Sequence, residues 1–184
     1  MFDEPTIAHK PVRVRQRAYT VTLALLLFLS LQRLSELVIA KRNTQQLLLR
    51  GAYEVGASHY PVMVGLHGSW LASLWWFGHD RVLSIPFVVA FVVLQLGRAW
   101  VLSTLGRRWT TRIIIVPDER PITRGPFRFV RHPNYLIVAF ELPCVSLALG
   151  LMWHALVFGV LNLLVLAWRT RCENRAFALV TNAA

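Results

Sequence analysis

Long apolar blocks alternate with short polar segments along the 184 residues of this chain. Each apolar block is near the length that an α-helix needs to cross about 30 Å of hydrocarbon. Backbone groups in lipid must be hydrogen-bonded within the segment, which favours helices. The pattern predicts one domain, residues 1–184, with an all-α fold: a polytopic membrane helical bundle of about five transmembrane helices. The predicted spans cover about residues 18–40, 60–77, 82–105, 133–149 and 153–180.

Two polar segments interrupt this pattern. Residues 41–58 are predicted to form a polar loop. Residues 106–132 are the most basic segment, and within them 109–116 are rich in Thr and Ile, which suits a short strand. The sequence Pro117-Asp118-Glu119-Arg120 is typical of a turn. We therefore expect a short irregular segment or hairpin at the membrane surface.

Composition agrees with a membrane protein. Hydrophobic residues make up 55% of the chain and charged residues 16%, whereas soluble domains have about 25% charged residues. The net charge is +11, and 18 of the 20 basic residues are arginine. Because most of them flank apolar blocks, they favour orientation in an anionic bilayer over binding of nucleic acid.

The distribution of basic residues predicts the orientation. If segment 106–132 faces the cytosol, segment 41–58 and the C-terminus do too. That side then carries 13 basic residues and the other side five, in agreement with the positive-inside rule. The basic residues at 10–17 oppose the rule locally. They also resemble the start of a secretory signal, but polar residues 32–36 stand where a cleavage site would lie, which favours a first membrane helix.

The residues with the clearest chemical pattern run from Gly125 to Tyr135, GPFRFVRHPNY, where the basic segment enters an apolar block. Pro133 suits the first position of a helix, because the missing N–H has no partner there anyway. A helix start of this kind can bind an anion such as a carboxylate. The alternative is a well-capped helix with interfacial Arg and Tyr side chains.

A second group of polar residues lies at the end of the last apolar block, in Arg169-Thr170-Arg171-Cys172-Glu173-Asn174-Arg175. Arg169 and Glu173 are four residues apart and share a helix face. They are expected on the same side of the membrane as His132. The alternative here is an interfacial ion pair. Cys144 and Cys172 form no metal or redox motif, and no metal site is predicted.

Ionisable residues also occur inside the predicted spans, where charges either pair or mark a functional site. Arg33 and Glu36 are three residues apart and are expected to pair. Glu141 lies seven residues after Asn134, on the same helix face and about 10 Å further along it. Glu141 is expected to pair with Arg98. Structural pairing and a role in a substrate pocket remain open for these residues, and His67 is expected to be a packing residue.

The segment from Leu105 to Tyr135, LGRRWTTRIIIVPDERPITRGPFRFVRHPNY, resembles the isoprenylcysteine carboxyl methyltransferase family. The stretches QRLSELVIAKRN and HYPVMVGLH extend the similarity toward the N-terminus. The resemblance is strongest to a bacterial branch that O-methylates alkylpyrones. It implies three N-terminal spans in residues 1–105 and a catalytic part in residues 106–184. It also implies S-adenosylmethionine as cofactor, in a cytosolic pocket capped by the loop before the RHPNY helix.

The resemblance also assigns roles to individual residues. It implies a lipidic, prenylated or long-alkyl substrate that is methylated on a carboxylate or acidic hydroxyl. Arg169 would face the methyl-accepting group, while His132 and Glu173 are base candidates for a less acidic acceptor. Arg98 and Glu141 are added as candidate substrate-binding residues. The cofactor would contact Arg120, Pro121, Ile122, Phe127, His132, Pro133, Asn134, Tyr135 and Glu173.

One departure and several alternatives remain. The family commonly has two adjacent Glu residues in the distal motif, whereas this chain has Glu173 followed by Asn174. This difference leaves cofactor binding intact as a prediction but puts the substrate in doubt. Other functions with a similar helical layout are a phospholipid N-methyltransferase and an NADPH-dependent membrane reductase. A non-enzymatic membrane scaffold is the third alternative. The favoured location is the bacterial inner membrane, with the cofactor site facing the cytosol.

Overall fold

The computed structural model describes residues 10–117, 119 and 122–183; for residues 10–15, 17, 18 and 177–183 it describes the backbone alone. This part of the chain contains five α-helices and a two-stranded sheet, and it confirms the all-α membrane bundle. The elements are α1 (Lys10–Leu48), β1 (Tyr53–Val55), α2 (His59–Gly78), α3 (Ile85–Leu105), β2 (Ile113–Ile115), α4 (Pro133–Ala148) and α5 (Met152–Ala183).

The helices differ in their suitability for crossing a membrane. Among the described residues, three segments are long and apolar enough by length and composition: Tyr19–Leu48, Ile85–Arg108 and Met152–Ala176. Helix α4 is apolar but shorter, with 16 residues. Many large apolar side chains of the long helices are exposed on the protein surface. Exposed apolar bands on long helices are what contact with lipid tails requires.

The first helix is longer than the sequence pattern predicts. Helix α1 continues to Leu48, so the predicted loop 41–58 is wrong over its first eight residues. Ala40, Asn43, Thr44 and Leu47 are all buried, and their spacing follows one face of a helix. The buried Asn43 side chain donates a hydrogen bond to the Trp109 carbonyl oxygen at 2.8 Å. Because this part of the helix contains polar residues, even on its packed face, its sequence resembled that of a loop.

The surface segment contains the expected strand but not a local hairpin. Strand β2 lies within the predicted stretch 109–116, and it pairs antiparallel with β1 rather than with a neighbouring stretch. Tyr53 is opposite Ile115, and Val55 is opposite Ile113. Both Ile113 and Ile115 are buried. The sheet thus ties the connection between α1 and α2 to the segment that precedes α4.

A network of charged side chains joins α1, α3 and α4 inside the bundle, and it confirms both predicted pairs. Arg33 Nη1 lies 3.1 Å from Glu36 Oε2, and Arg33 Nη2 lies 2.7 Å from Glu141 Oε2. Arg98 Nη1 lies 2.9 Å from Glu36 Oε1, and Arg98 Nη2 also contacts Glu141. We call Arg33, Glu36, Arg98 and Glu141 the intramembrane ion cluster.

Helices α4 and α5 pack closely around Pro143. A Cβ atom added to Gly159 would lie 3.7 Å from the Pro143 Cβ atom, which is ordinary van der Waals contact. Pro143 has no N–H to give to the preceding turn. The missing N–H is the partner that the Ala139 carbonyl oxygen would otherwise have. At the residue before Ala139, buried Asn162 of α5 donates a hydrogen bond to the Val138 carbonyl oxygen at 3.0 Å, which ties the two helices together near the proline.

We predict that Gly125→Ala destabilises the protein more than Gly150→Ala does. Both glycines have positive φ, +60° and +69°, which side chains of L residues rarely adopt, so each substitution strains the backbone. At Gly125 the new Cβ atom would also lie 2.5 Å from Thr104 Oγ1, whereas at Gly150 it would meet nothing within 4 Å. Thermal unfolding of the purified protein measures the difference. Equal melting temperatures for the two variants would contradict the packing of this loop on α3.

Candidate functional site

The two motifs of the sequence meet at one point, where the start of α4 lies beside the last part of α5. Arg169 Nε donates a hydrogen bond to the Tyr135 hydroxyl oxygen at 2.6 Å. The Tyr135 hydroxyl in turn donates a hydrogen bond to Glu173 Oε2. Arg169 and Glu173 share a face of α5, as predicted, but they communicate through the Tyr135 hydroxyl. We call these three residues the Arg169–Tyr135–Glu173 chain.

His132 completes this junction from the residue before α4. The His132 ring stacks on the Tyr135 ring, with centroids 5.0 Å apart and planes 5° apart. His132 Nδ1 lies 3.8 Å from Glu173 Oε2, within range of an ion pair when the ring is protonated. Pro133 occupies the first helical turn, where its ring fixes a suitable backbone angle. The short motif therefore orients an imidazole and a phenol against one carboxylate.

A cavity of about 170 Å³ lies in front of the junction, and we call it the polar cavity. Three buried polar atoms of its wall have no hydrogen-bond partner among the described residues: Trp109 Nε1, His132 Nε2 and Asn134 Oδ1. Buried polar groups are rarely left unpaired, since each costs about 1–3 kcal/mol. The wall consists of Leu105, Arg108, Trp109, Thr110, Arg112, Ile113, Ile114, Phe127, Arg131, His132, Pro133, Asn134, Tyr135, Arg169 and Glu173.

Most of the predicted cofactor residues lie together in this wall. They are Phe127, His132, Pro133, Asn134, Tyr135 and Glu173, joined by the predicted catalytic residue Arg169. Ile122 is half-buried in the preceding loop and is not among the residues lining the polar cavity. Arg120 and Pro121 lie outside the described residues.

A second cavity, of about 270 Å³, lies deeper in the bundle and is mainly apolar; we call it the apolar cavity. It shares Trp109, Thr110, Asn134, Tyr135 and Arg169 with the polar cavity. The remaining wall comes from Ser30, Arg33, Leu34, Glu36, Leu37, Met63, Val64, His67, Gly68, Leu71, Arg98, Thr111, Val138 and Leu166. Of the predicted substrate residues, Arg98 lines this cavity. Glu141 lies behind it, fully buried and paired with Arg98.

The structure adds residues that the sequence motifs do not indicate. Arg169 Nη1 donates hydrogen bonds to the Thr111 carbonyl oxygen at 2.5 Å and to Met63 Sδ at 3.2 Å. Arg169 Nη2 makes no hydrogen bond to a residue of the described chain. Thr111 lies within the basic segment quoted above, but its contact with Arg169 depends on how that segment folds over the bundle. The guanidinium group is therefore held through Nε and Nη1, while Nη2 has no hydrogen-bond partner within the described chain.

The segment above the polar cavity is held by an ion pair between β1 and the residue that precedes β2. Arg112 Nη1 lies 2.7 Å from Glu54 Oε2, and the Arg112 guanidinium also lies over the Tyr60 ring at 4.2 Å. The hydrogen bond from Arg112 to the Glu54 carboxylate raises the pKa of the arginine. Arg112 lines the polar cavity. This pair fixes part of the cavity wall to the connection between α1 and α2.

Comparison with known proteins adds independent information. A YpbQ protein of Bacillus subtilis (strain 168), itself uncharacterized, is 31% identical over 165 residues, which covers 83% of this chain and 94% of the relative. An uncharacterized protein of Haemophilus influenzae is 27% identical over 154 residues, covering 79% of this chain and 88% of the relative. No solved structure matches the chain.

The family comparison concerns the same part of the chain as the site. Residues 86–179 match the isoprenylcysteine carboxyl methyltransferase (ICMT) family. This range includes α3 from its second residue, the basic segment, α4 and the Arg169–Tyr135–Glu173 chain. The chain therefore belongs to the isoprenylcysteine carboxyl methyltransferase family, and is a membrane methyltransferase.

Proposed function

We propose that this protein is an S-adenosylmethionine-dependent O-methyltransferase whose acceptor is the carboxylate or acidic hydroxyl of a lipidic molecule. One observation carries the proposal: the Arg169–Tyr135–Glu173 chain lies where a polar and an apolar cavity share a wall. A water-soluble methyl donor and a lipid-soluble acceptor both need access to one reaction centre. Two cavities that meet at an arginine supply this access.

The residues of the polar cavity support S-adenosylmethionine as its ligand. The unpaired atoms include one donor on Trp109 and one acceptor on Asn134, which suit an adenine edge with a ring nitrogen beside an amino group. The Glu173 carboxylate suits a positively charged ammonium or sulfonium group. Arg131, which lines the same cavity, suits the carboxylate of the methionine part. His132 and Tyr135 add a flat stacked surface beside these groups.

The chemical step needs little acid–base catalysis. When bound, S-adenosylmethionine supplies an electrophilic methyl group on a positively charged sulfur. An oxygen lone pair of the acceptor would form the new O–C bond while the C–S bond breaks. The electron pair of the C–S bond would stay on sulfur. If the acceptor is already an anion, no proton has to be removed. The protein then contributes mainly by positioning the two reactants and excluding water.

Arg169 is suited to hold the acceptor anion. Nε and Nη1 are used by Tyr135, Thr111 and Met63, which fixes the guanidinium plane. Arg169 lines both cavities, and its Nη2 makes no hydrogen bond within the described chain. A charge-assisted hydrogen bond from this nitrogen would position a carboxylate or enolate oxygen. The same positive charge would repel an ammonium group, which disfavours the amine acceptor of a phospholipid N-methyltransferase.

The apolar cavity explains a membrane location for this chemistry. Its wall includes Leu34 and Leu37 of α1 and Val64 of α2, all of which are exposed on the outer surface. An alkyl or prenyl chain can therefore extend from the cavity between α1 and α2 into surrounding lipid. The reacting end would remain near Arg169. The basic residues near this end and the bacterial relatives support an inner membrane with the site on the cytosolic face.

We predict that S-adenosylmethionine stabilises the wild-type protein against thermal unfolding. At about 100 times the dissociation constant, the gain in unfolding free energy is about 2.7 kcal/mol. The variant His132→Ala loses the stacked ring and the unpaired Nε2 atom, so its stabilisation at the same concentration should be much smaller. Wild-type protein that melts at the same temperature with and without S-adenosylmethionine would contradict the proposed cofactor.

The variant Arg169→Gln separates acceptor binding from cofactor binding. It keeps a polar side chain near Tyr135 but removes the charge. We expect it to bind S-adenosylmethionine while kcat/KM for an anionic lipid acceptor falls by about tenfold to a hundredfold, the worth of one charge-assisted hydrogen bond. Transfer of a labelled methyl group from S-adenosylmethionine into a bacterial lipid extract, resolved by mass spectrometry, measures the reaction. Unchanged transfer by this variant would remove Arg169 from the site.

Two glycines of α2 test the lipidic substrate. Gly68 lines the apolar cavity and Gly65 does not, and a Cβ atom at either position would meet nothing within 4 Å. We predict that Gly68→Leu fills the cavity and raises KM for a long-chain acceptor, while Gly65→Leu leaves KM unchanged. Both variants should bind S-adenosylmethionine as the wild type does. If Gly68→Leu and Gly65→Leu have the same KM, the acceptor does not occupy this cavity.

A further inference from the structure

The intramembrane ion cluster has no net charge, and its carboxylates are fully hydrogen-bonded. Glu36 accepts hydrogen bonds from Arg33 and Arg98 at 2.9–3.1 Å and from Gln32 at 3.1 Å. Glu141 accepts them from Arg33 at 2.7 Å, from Gln95 at 2.9 Å and from Arg98. Two positive and two negative side chains thus neutralise each other. A further ion would gain little here.

Hydrogen-bonding capacity nevertheless remains in this network. Arg33 Nε, Arg98 Nε and Gln32 Oε1 are buried and have no hydrogen-bond partner among the described residues. Arg98 is 3% exposed, and both arginines form part of the wall of the apolar cavity. An unpaired N–H group inside a membrane protein is costly because no bulk water can replace the partner. Both donors belong to side chains that line the cavity, so a ligand group that reached these side chains would satisfy them.

His67 adds an acceptor to the same region. His67 Nδ1 lies 2.8 Å from the Met63 carbonyl oxygen, which can only accept, so Nδ1 carries the proton. In the neutral ring Nε2 is then an acceptor, and it makes no hydrogen bond within the described chain. His67 lines the apolar cavity, and the charges of Arg33, Glu141 and Arg98 act on its ring. Met63, one turn earlier, contacts Arg169.

The spacing of residues along α4 gives the scale of the distance between these groups and the reaction centre. Asn134 and Tyr135 mark the shared wall, and Glu141, which holds both arginines, follows Asn134 by seven residues on α4. The helical rise makes this separation about 10 Å. The wall between the two ends includes the apolar side chains of Val64 and Val138. The cavity is thus polar at both ends and apolar between them.

We propose that this end of the apolar cavity is a recognition site for a second, neutral oxygen group of the acceptor, a hydroxyl or carbonyl about 10 Å from the methylated oxygen. The inference rests on the proposed function and adds to it the substrate class: a lipid with an internal polar group rather than a plain hydrocarbon chain. The arginine Nε–H groups would donate to the oxygen. His67 Nε2 would accept the proton of a hydroxyl. Charge neutrality of the cluster selects against an ion.

Binding of two probe lipids tests this proposal without the cofactor. The probes are a long-chain fatty acid with a mid-chain hydroxyl group and the same acid without it. Titration of each probe against thermal unfolding of the full-length protein gives the two dissociation constants. We expect the hydroxylated acid to bind wild-type protein about twofold to tenfold more tightly, the worth of one net hydrogen bond. Equal binding, including no binding of either probe, would overturn the proposal.

Two variants assign the difference to this site. His67→Phe removes the acceptor while the ring volume changes little, so the preference for the hydroxylated acid should fall. His79→Phe is the matched control, because His79 Nδ1 contacts the Trp75 carbonyl oxygen four residues earlier at 3.1 Å but does not line the cavity. It should keep the preference. Loss of the preference in both variants, or in neither, would contradict a role of His67.

The outcome is distinguishable from failure of the proposed function. Binding of S-adenosylmethionine and methyl transfer do not enter the probe titration. A protein that binds the cofactor and methylates lipids, but binds both probes equally, would keep the methyltransferase assignment and lose the second site.

Arg33→Lys is a further check, because it keeps the positive charge toward both carboxylates and removes the Nε donor. It should lower the ratio of the two dissociation constants, which is the preference for the hydroxylated acid over the plain acid.

Discussion

The hydrogen-bonded chain from Arg169 through Tyr135 to Glu173 is the interaction on which the site depends. It joins the beginning of α4 to the end of α5, two segments far apart in sequence. A guanidinium and a carboxylate share one phenol, so their charges are separated while both remain hydrogen-bonded. Arg169 is buried and Glu173 is half-buried, so either charge left alone would be costly. The arginine lines both cavities, the carboxylate lines the polar cavity, and each keeps a hydrogen-bonded partner.

The intramembrane ion cluster, at the other end of the apolar cavity, supports this arrangement. It ties α1 to α3 and α4, and these helices form much of the wall of the apolar cavity. Buried ion pairs seldom add much net stability, because removal of charges from water offsets their attraction. Their value lies in fixing one arrangement of helices, since a shifted helix would leave a charge unpaired in lipid. The cluster thus defines where the cavity ends.

The sequence was sufficient for those features that depend on local patterns. Apolar blocks located the helices, and the residues of the RHPNY motif and Glu173 lie in one cavity wall. The pairs Arg33–Glu36 and Arg98–Glu141 were predictable because charges within apolar blocks need partners. Features that depend on long-range packing were not predictable. The buried face of Asn43 and Thr44 resembled a loop, and the partner of β2 lies beyond two helices.

The same limit applies to the site. No motif indicates that Thr111 holds Arg169 through a backbone oxygen, because any residue provides such an oxygen. His67 was expected to pack, and only its place in the cavity wall reveals an available acceptor atom. Asn174 in place of a second glutamate leaves Glu173 as the one carboxylate of the distal motif that contacts Tyr135. The contacts of Arg120 and Pro121 with the cofactor remain predictions.

The central claim is that the two motifs act as one cofactor site. A double-mutant cycle with Tyr135→Phe, Glu173→Gln and the combined variant measures it directly, through the dissociation constant for S-adenosylmethionine. Because the Tyr135 hydroxyl bonds to Glu173, the two substitutions should be non-additive, with a coupling energy of at least about 0.5 kcal/mol. Effects that add within experimental error would show that the motifs bind independently, and would contradict this account.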